Sequence, residues 1–281
     1  ADEISNLTGT VEITGGSETG ANNKWKNITI SAADADLTLN ANVVISGGTV
    51  DANKINLATG ATANKSLTIQ NLTIATGNVT DGLTISGTKD KGEMTVKANA
   101  VAVETGTLKL ALDNNKVGNL EADSITVGKE ANSGNPVTFA EVDPTAVISV
   151  AAGSTLGKAN TTVYTLYKGG QITLAGDDAK LLGKSLASDG GKLVVKGDVA
   201  FVTPTVGSEK LDIAVDAEKT LTVKLPANGT ERGVAHFASG STINLAAAKD
   251  NKGTLAISGD TTSGSLVILD SGVNLTSTGD A

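Results

Sequence analysis

Asn71-Leu72-Thr73-Ile74, Leu83-Thr84-Ile85 and Met94-Thr95-Val96 decide the fold. In each, two aliphatic residues flank a threonine, and Leu72, Leu83 and Met94 are spaced by 11 residues. A backbone that sends successive side chains to opposite faces buries both aliphatics together and leaves the threonine outside. That is the period-2 signature of a β-strand, and threonine and β-branched residues suit its pleated surface. The same texture runs upstream through Ile28-Thr29-Ile30, Leu37-Thr38-Leu39, Ile55-Asn56-Leu57 and Leu67-Thr68-Ile69. Downstream it continues through Leu108-Lys109-Leu110, Ile125-Thr126-Val127, Ile172-Thr173-Leu174, Leu221-Thr222-Val223, Ile243-Asn244-Leu245 and Leu266-Val267-Ile268. The chain reads as all-β from end to end.

Most runs are short, and Gly, Asn, Asp or Ser interrupts them. A hydrophobe followed by Ser or Thr and then Gly recurs as an exit, as in Ile13-Thr14-Gly15, Ile45-Ser46-Gly47, Ile85-Ser86-Gly87 and Ile257-Ser258-Gly259; glycine allows the positive φ of a tight corner. Short strands at this spacing build either a β-sandwich or barrel, or a parallel β-solenoid. A sandwich core about 10 Å thick draws on large aromatics. This chain of 281 residues has six: Trp25, Phe139, Tyr164, Tyr167, Phe201 and Phe237. Hairpin dipeptides are also few, with Asp81-Gly82, Asp189-Gly190 and Asn228-Gly229 standing out. Both observations favour the parallel β-solenoid (β-helix). An antiparallel β-sandwich that polymerises through a donated strand is the alternative. At roughly 20–25 residues per coil, the solenoid would hold about a dozen coils over on the order of 60 Å.

No low-complexity linker divides residues 1–281, which read as a single elongated β-rich domain. Pro136 and Pro144 bracket Val137-Thr138-Phe139 and suggest an irregular junction near residues 131–145. Near residues 176–190, Leu182 and Leu186 have helical spacing behind Asp177, so a projecting loop or short helix is expected there.

Composition closes off much chemistry. There is no cysteine, one histidine (His236), one methionine and one arginine (Arg232). Thiol catalysis, disulfide scaffolds, Cys/His zinc sites and any site needing two histidines are therefore excluded. With 22 basic and 30 acidic residues the net charge is -8. The lysines are scattered and lie beside no aromatic platform, so neither nucleic acid nor an anionic membrane is an expected partner. The longest apolar run, residues 146–152, is far below the roughly 18–20 residues that span a bilayer.

The Leu-Thr-Ile and Ile-Ser-Gly runs resemble the β-helical passengers of Gram-negative autotransporter adhesins. The stretch Val163-Tyr164-Thr165-Leu166-Tyr167-Lys168-Gly169-Gly170-Gln171-Ile172, followed by Gly191-Lys192-Leu193-Val194-Val195, is similar to a pattern near the end of such passengers. The resemblance is one of texture over nearly the whole chain. It extends to acidic, cysteine-free surface-layer and filament subunits rich in Thr, Ala and Gly. It implies an extracellular location on a bacterial cell surface, with a secreted chain. The opening Ala1-Asp2-Glu3 fits a chain from which a signal peptide has been removed. No outer-membrane barrel follows the repeats, so the expectation is a passenger without its barrel or a stand-alone subunit.

Candidate sites were weighed against ordinary turn chemistry. Asp34 and Asp36 alternate, and Asp177 and Asp178 adjoin, but no basic or sugar-stacking wall accompanies either pair as a glycan-cleaving groove requires. They read as solvated turn acids. His236, in Val234-Ala235-His236-Phe237, reads as a partly buried strand residue. Asp113-Asn114-Asn115 and Asp34-Ala35-Asp36 offer oxygen ligands without a calcium-loop spacing. Trp25, between Lys24 and Lys26, reads as a cap on an open end of the core. The eight Asn-x-Ser/Thr sequons fit the chance expectation for so much Asn and Thr. No catalytic, cofactor-binding or metal residue is therefore assigned, and no cofactor. The stretch Ile4-Ser5-Asn6-Leu7-Thr8-Gly9-Thr10-Val11-Glu12-Ile13 alternates well enough to pair in a neighbour or within its own chain. The expected function is a non-enzymatic cell-surface structural protein that self-assembles, its partner being itself. The alternative is an adhesin passenger that contacts cell-surface glycans or neighbouring cells.

Overall fold

A computed structural model describes residues 8–14, 28–31, 37–38, 40–46, 55–58, 65–75, 82–86, 94–110, 118–130, 144–202, 205–206, 211–225, 233–237, 239–245, 247–248, 251–259 and 265–277. These residues form no helix. Twenty-six strands belong to one pairing network. Every strand pair within that network is parallel. The protein is a parallel β-solenoid, and the antiparallel sandwich is ruled out. Among the described residues, antiparallel pairing is confined to a short hairpin of Ala247–Ala248 with Asn251–Lys252 and a bridge between Tyr167 and Gly190.

The strands stack in three columns that the chain visits in fixed rotation. The first column runs through Thr8–Thr14, Asn40–Ser46, Asn71–Ala75, the middle of Met94–Leu110, the second half of Gly118–Val127, Val163–Tyr167, Ser185–Asp189, Thr205–Val206, Gly233–Phe237 and Ser265–Leu269. The second takes Ile28–Ser31, Ile55–Ala58, Gly82–Ser86, the end of Met94–Leu110, Ala146–Val150, Gly170–Leu174, Gly191–Val195, Leu211–Val215, Thr242–Leu245 and Asn274–Thr276. The third takes Leu37–Thr38, Lys65–Thr68, the starts of Met94–Leu110 and Gly118–Val127, then Thr155–Leu156, Lys180–Leu182, Val199–Val202, Thr220–Leu225 and Thr254–Gly259.

Identical register lines up the inward residues into ladders. Leu108, Ile148, Ile172, Leu193, Ile213 and Ile243 stack in the second column. Val96, Leu120, Leu156, Leu181, Phe201 and Val223 stack in the third. All of them are buried. The first column contributes Leu72, Val101, Ile125, Tyr164 and Leu186. Each fully buried aliphatic of this kind contributes about 1.5–3 kcal/mol relative to exposure, so the alternation read from the sequence is also what holds the rod together.

Tyr164 is the largest fully buried side chain in this interior. Its ring meets Phe201 edge-on, with centroids 6.3 Å apart. Its hydroxyl lies 2.8 Å from the Leu156 carbonyl oxygen and 2.7 Å from that of Leu182. Burial pushes the phenol well above its usual range, outweighing the opposite effect of the Leu182 hydrogen bond. The group therefore remains a donor. Gly157 makes room for it: at φ +86°, an added Cβ would lie 1.9 Å from that hydroxyl oxygen and 2.2 Å from the Leu182 carbonyl oxygen.

Two expectations are corrected here. Residues 176–190 hold no projecting helix: Lys180–Leu182 and Ser185–Asp189 are wall strands, joined by a corner at Gly183 and Lys184. The buried pair is Leu181 and Leu186, while Leu182 is half-buried. Leu182 and Leu186 imitate helical spacing across a corner, and the Tyr164 ring, 2.7 Å from where a Gly183 Cβ would be, leaves that corner no room for a side chain. The described residues also make fewer than a dozen coils. Among the described residues the first two columns hold ten strands each, so nine steps of about 4.8 Å make about 43 Å. The chain advances by 20 residues per coil from Leu193 to Ile213, but by 40 from Leu108 to Ile148. Most of the suspected junction, residues 131–143, lies outside the described residues, within that longest coil.

Candidate functional site

The acids of the turns bind backbone. Asp177 Oδ1 accepts the N–H of Asp198 at 2.8 Å and lies 3.0 Å from Lys219 Nζ. One coil on, Asp198 Oδ1 accepts the N–H of Thr220 at 2.8 Å, and its Oδ2 is 3.9 Å from the same ammonium. Asn119 and Asp212 repeat the device, accepting the N–H groups of Thr155 and Thr242 at 2.9 Å. In each case a side chain on one coil holds the backbone of the next. The Asp198 N–H, helped by Lys219, holds the Asp177 carboxyl below its ordinary value, and the hydrogen bond to Asp177 raises Lys219. Asp178 sits at φ +60°, in the left-handed turn position that Asp tolerates. Asp177 and Asp178 are thus turn residues, and the carboxylate ladder is a fastening between coils.

His236 lies in Gly233–Phe237 and is half-buried between the inward Ala235 and Phe237. Its Nε2 is 3.0 Å from Asp270 Oδ1, which joins the last two coils of the described residues. Asp34, Asp36, Asp113, Asn114, Asn115 and Trp25 lie outside the described residues. Among the described residues, no group of three or more His, Asp or Glu is placed to hold a metal ion.

One concavity escaped the sequence reading. A cleft of about 160 Å³ opens at the corner between the third and first columns, lined by Lys97, Asn99, Glu121, Asp123 and Lys158 among others. Lys97 and Glu121 occupy the same register position on successive coils. That pairing is visible in sequence only after the 24-residue step between those coils is known. The cleft offers two ammonium groups, two carboxylates and an amide to a small polar molecule.

The ends of the rod present different chemistry. At the C-terminal end, Leu266, Val267, Leu269 and Leu275 are exposed by 45%, 43%, 54% and 70%. Val267 and Leu269 continue the register of Ala235 and Phe237, and Leu275 that of Ile243, which are all buried one coil earlier. Among the described residues Thr254–Gly259, Ser265–Leu269 and Asn274–Thr276 pair on one side only. Thr8–Thr14, Ile28–Ser31 and Leu37–Thr38 do likewise at the other end. Thr8–Thr14 pairs with Asn40–Ser46 of its own chain, so residues 8–13 of the alternating N-terminal stretch are part of a wall strand, and residues 4–7 lie outside the described residues. Among the described residues, three parallel strand edges at either side are therefore left without a partner strand, and one side also has a row of exposed aliphatics. No family model matches this chain, and no curated protein or solved structure matches it either.

Proposed function

We propose that the chain is a non-enzymatic structural protein of a bacterial cell surface that self-assembles into an extracellular filament or surface layer. The observation that carries this reading is that the outermost described strands, Thr8–Thr14, Ile28–Ser31 and Leu37–Thr38 on one side and Thr254–Gly259, Ser265–Leu269 and Asn274–Thr276 on the other, pair along one edge only among the described residues. A sheet edge with free N–H and C=O groups templates another strand unless charge, proline or a cap blocks it. The strands Thr254–Gly259, Ser265–Leu269 and Asn274–Thr276 contain no Lys, Arg, Asp, Glu or Pro. The placement outside the cell rests on the sequence: acidic, free of cysteine and rich in Thr, Gly and Asn.

An adhesin passenger is the second reading. It draws support from the outward row Thr73, Ala102, Thr126, Thr165 and Ala187 of the first column, which carries no charge over five successive coils and suits a neutral glycan or cell surface. Negative-stain microscopy of the purified chain, with calcium and with chelator, separates the two. Fibres or sheets are expected of the structural protein, and their loss in chelator would add calcium to the assembly. Dispersed short rods at every concentration and in both conditions would overturn self-assembly in favour of the passenger.

A further inference from the structure

We infer that the cleft at the corner between the third and first columns is a binding site for one neutral, polyhydroxylated sugar ring. The site stands apart from self-assembly, because every residue that builds it belongs to a single copy. It exists because one coil turns this corner late. From the third-column ladder to the first, Leu120 to Ile125 and Leu181 to Leu186 are steps of five residues, whereas Leu156 to Tyr164 is a step of eight. The extra length makes a shelf of residues 157–162, with Asn160 at φ 56°. Hydrogen bonds fix the shelf. The buried Thr162 hydroxyl accepts the Lys158 N–H at 2.7 Å and donates to the Ala122 carbonyl of the preceding coil. The Gly157 N–H donates to the Leu120 carbonyl at 2.7 Å, and the Asn160 N–H to that of Gly183 at 3.1 Å. The backbone of Lys158 is thereby held beside the cleft that its side chain lines.

The polar lining comes from successive coils: Lys97 and Asn99 from one, Glu121 and Asp123 from the next, and Lys158 from the one after. None of the four charged groups is ion-paired with another of the four. The floor is apolar, with Ile69 and Ala122 buried in it. Two ammonium groups and two carboxylates cancel, so the cleft has no net charge to draw an ion of either sign. A cation is opposed by the lysines, and a phosphate by the carboxylates. An amino acid engages one group of each sign and leaves the other two. A hydroxyl both donates and accepts. Neighbouring hydroxyls on one ring can therefore accept from the ammonium groups and donate to the carboxylates, while the Asn99 amide takes either role. Hydrogen bonds with an ionised partner are the stronger kind. The C–H face of the ring would rest on Ile69 and Ala122. A cleft of about 160 Å³ is smaller than the roughly 300–1,000 Å³ of pockets that take drug-sized molecules, which limits it to one ring.

The test is an amide-resolved NMR titration of the full chain with the methyl glycosides of glucose, galactose, mannose, fucose and N-acetylglucosamine. At least one of them is expected to shift the amides of Asn99, Glu121, Asp123 and Lys158 saturably, with a Kd in about the millimolar range. Lys158→Ala and Asp123→Ala each remove an exposed side chain, and circular dichroism checks that both variants fold. Each is expected to weaken binding by about tenfold, as the loss of a hydrogen bond to a charged group does. No saturable shift of these amides with any of the glycosides would overturn the site. Shifts produced only by calcium, sodium phosphate, sodium glucuronate or alanine would overturn it too, by assigning the cleft to an ion or a zwitterion. Binding left unweakened in folded Lys158→Ala and Asp123→Ala would put the sugar elsewhere on the rod and contradict the assignment. None of these results depends on whether the chain forms fibres or sheets.

Discussion

The middle of the rod and its C-terminal coil are built from the same strand and differ only in what lies above them. Ile172, Leu193 and Ile213 in the second column are buried, whereas Leu275, on the same ladder one step past Ile243, is 70% exposed. In the first column Leu166 is buried and Leu269 is 54% exposed. An inward residue of a solenoid is therefore covered by its neighbours' coils as much as by its own. The middle, between residues 144 and 225, has a neighbour on both sides. The last described coil has one among the described residues.

The strongest way to break the middle is to fill the space it cannot spare. Gly157→Ala sets a methyl against the Tyr164 hydroxyl and the Leu182 carbonyl at a left-handed backbone position. Urea denaturation is expected to show a loss of more than about 3 kcal/mol. Removing mass from the same region comes next. Leu193→Ala should cost about 2–5 kcal/mol, as large-to-small core changes do. The same truncation at Leu275 should stay within about 0.5 kcal/mol in the single copy, the range for surface positions. That pair sharpens the comparison, because equal losses at the two positions would mean that the end is already covered.

Tyr164→Phe keeps the ring against Phe201 and removes the hydroxyl between the Leu156 and Leu182 carbonyls. A cost of about 1–3 kcal/mol is expected, the range for leaving a buried polar group unpaired. The smallest effect belongs to Asp177→Ala, since Asp177 and Lys219 meet in solvent. Its signature is its pH dependence. The folded state lowers the Asp177 carboxyl below its ordinary 3.8, so its contribution is present above that value and lost as pH falls through the folded one. Lys219 is raised above 10.5, so its share is present below 10.5 and lost as pH climbs through the folded value. Thermal melts of the two chains should differ by a constant small amount across neutral pH, converge in acid, and draw together only in part in alkali, where the Asp198 N–H still binds the carboxylate.

The strands were legible because Leu-Thr-Ile alternation is local: Leu72, Ile74, Leu108 and Ile172 are inward where the pattern puts them. Parallel stacking followed from what the composition lacks, large aromatics and hairpin turns. The few aromatics that are described serve as single interior fillers, with Tyr164, Phe201 and Phe237 fully buried. Corners were harder. Leu182 and Leu186 straddle one at Gly183, and four residues across a corner look like a helical turn. Coil number was lost to unequal coil lengths. Asp177 and Asp178 lie in a turn, as their pattern suggested, but the coil-to-coil bond from Asp198 to Asp177 spans 21 residues and has no local signal. The exposed coil was the least legible: Leu266-Val267-Ile268-Leu269 reads like any interior strand, yet Val267 and Leu269 are exposed.

Amide hydrogen exchange of the full chain, at a dilute and at a concentrated setting, tests the central claim most directly. Free edges exchange readily, while paired core strands are protected. The account predicts that Gly170–Leu174 and Gly191–Val195 are protected equally in both settings. Thr8–Thr14, Ser265–Leu269 and Asn274–Thr276 should gain protection together on concentration. Protection of those end strands that does not change with concentration would contradict it.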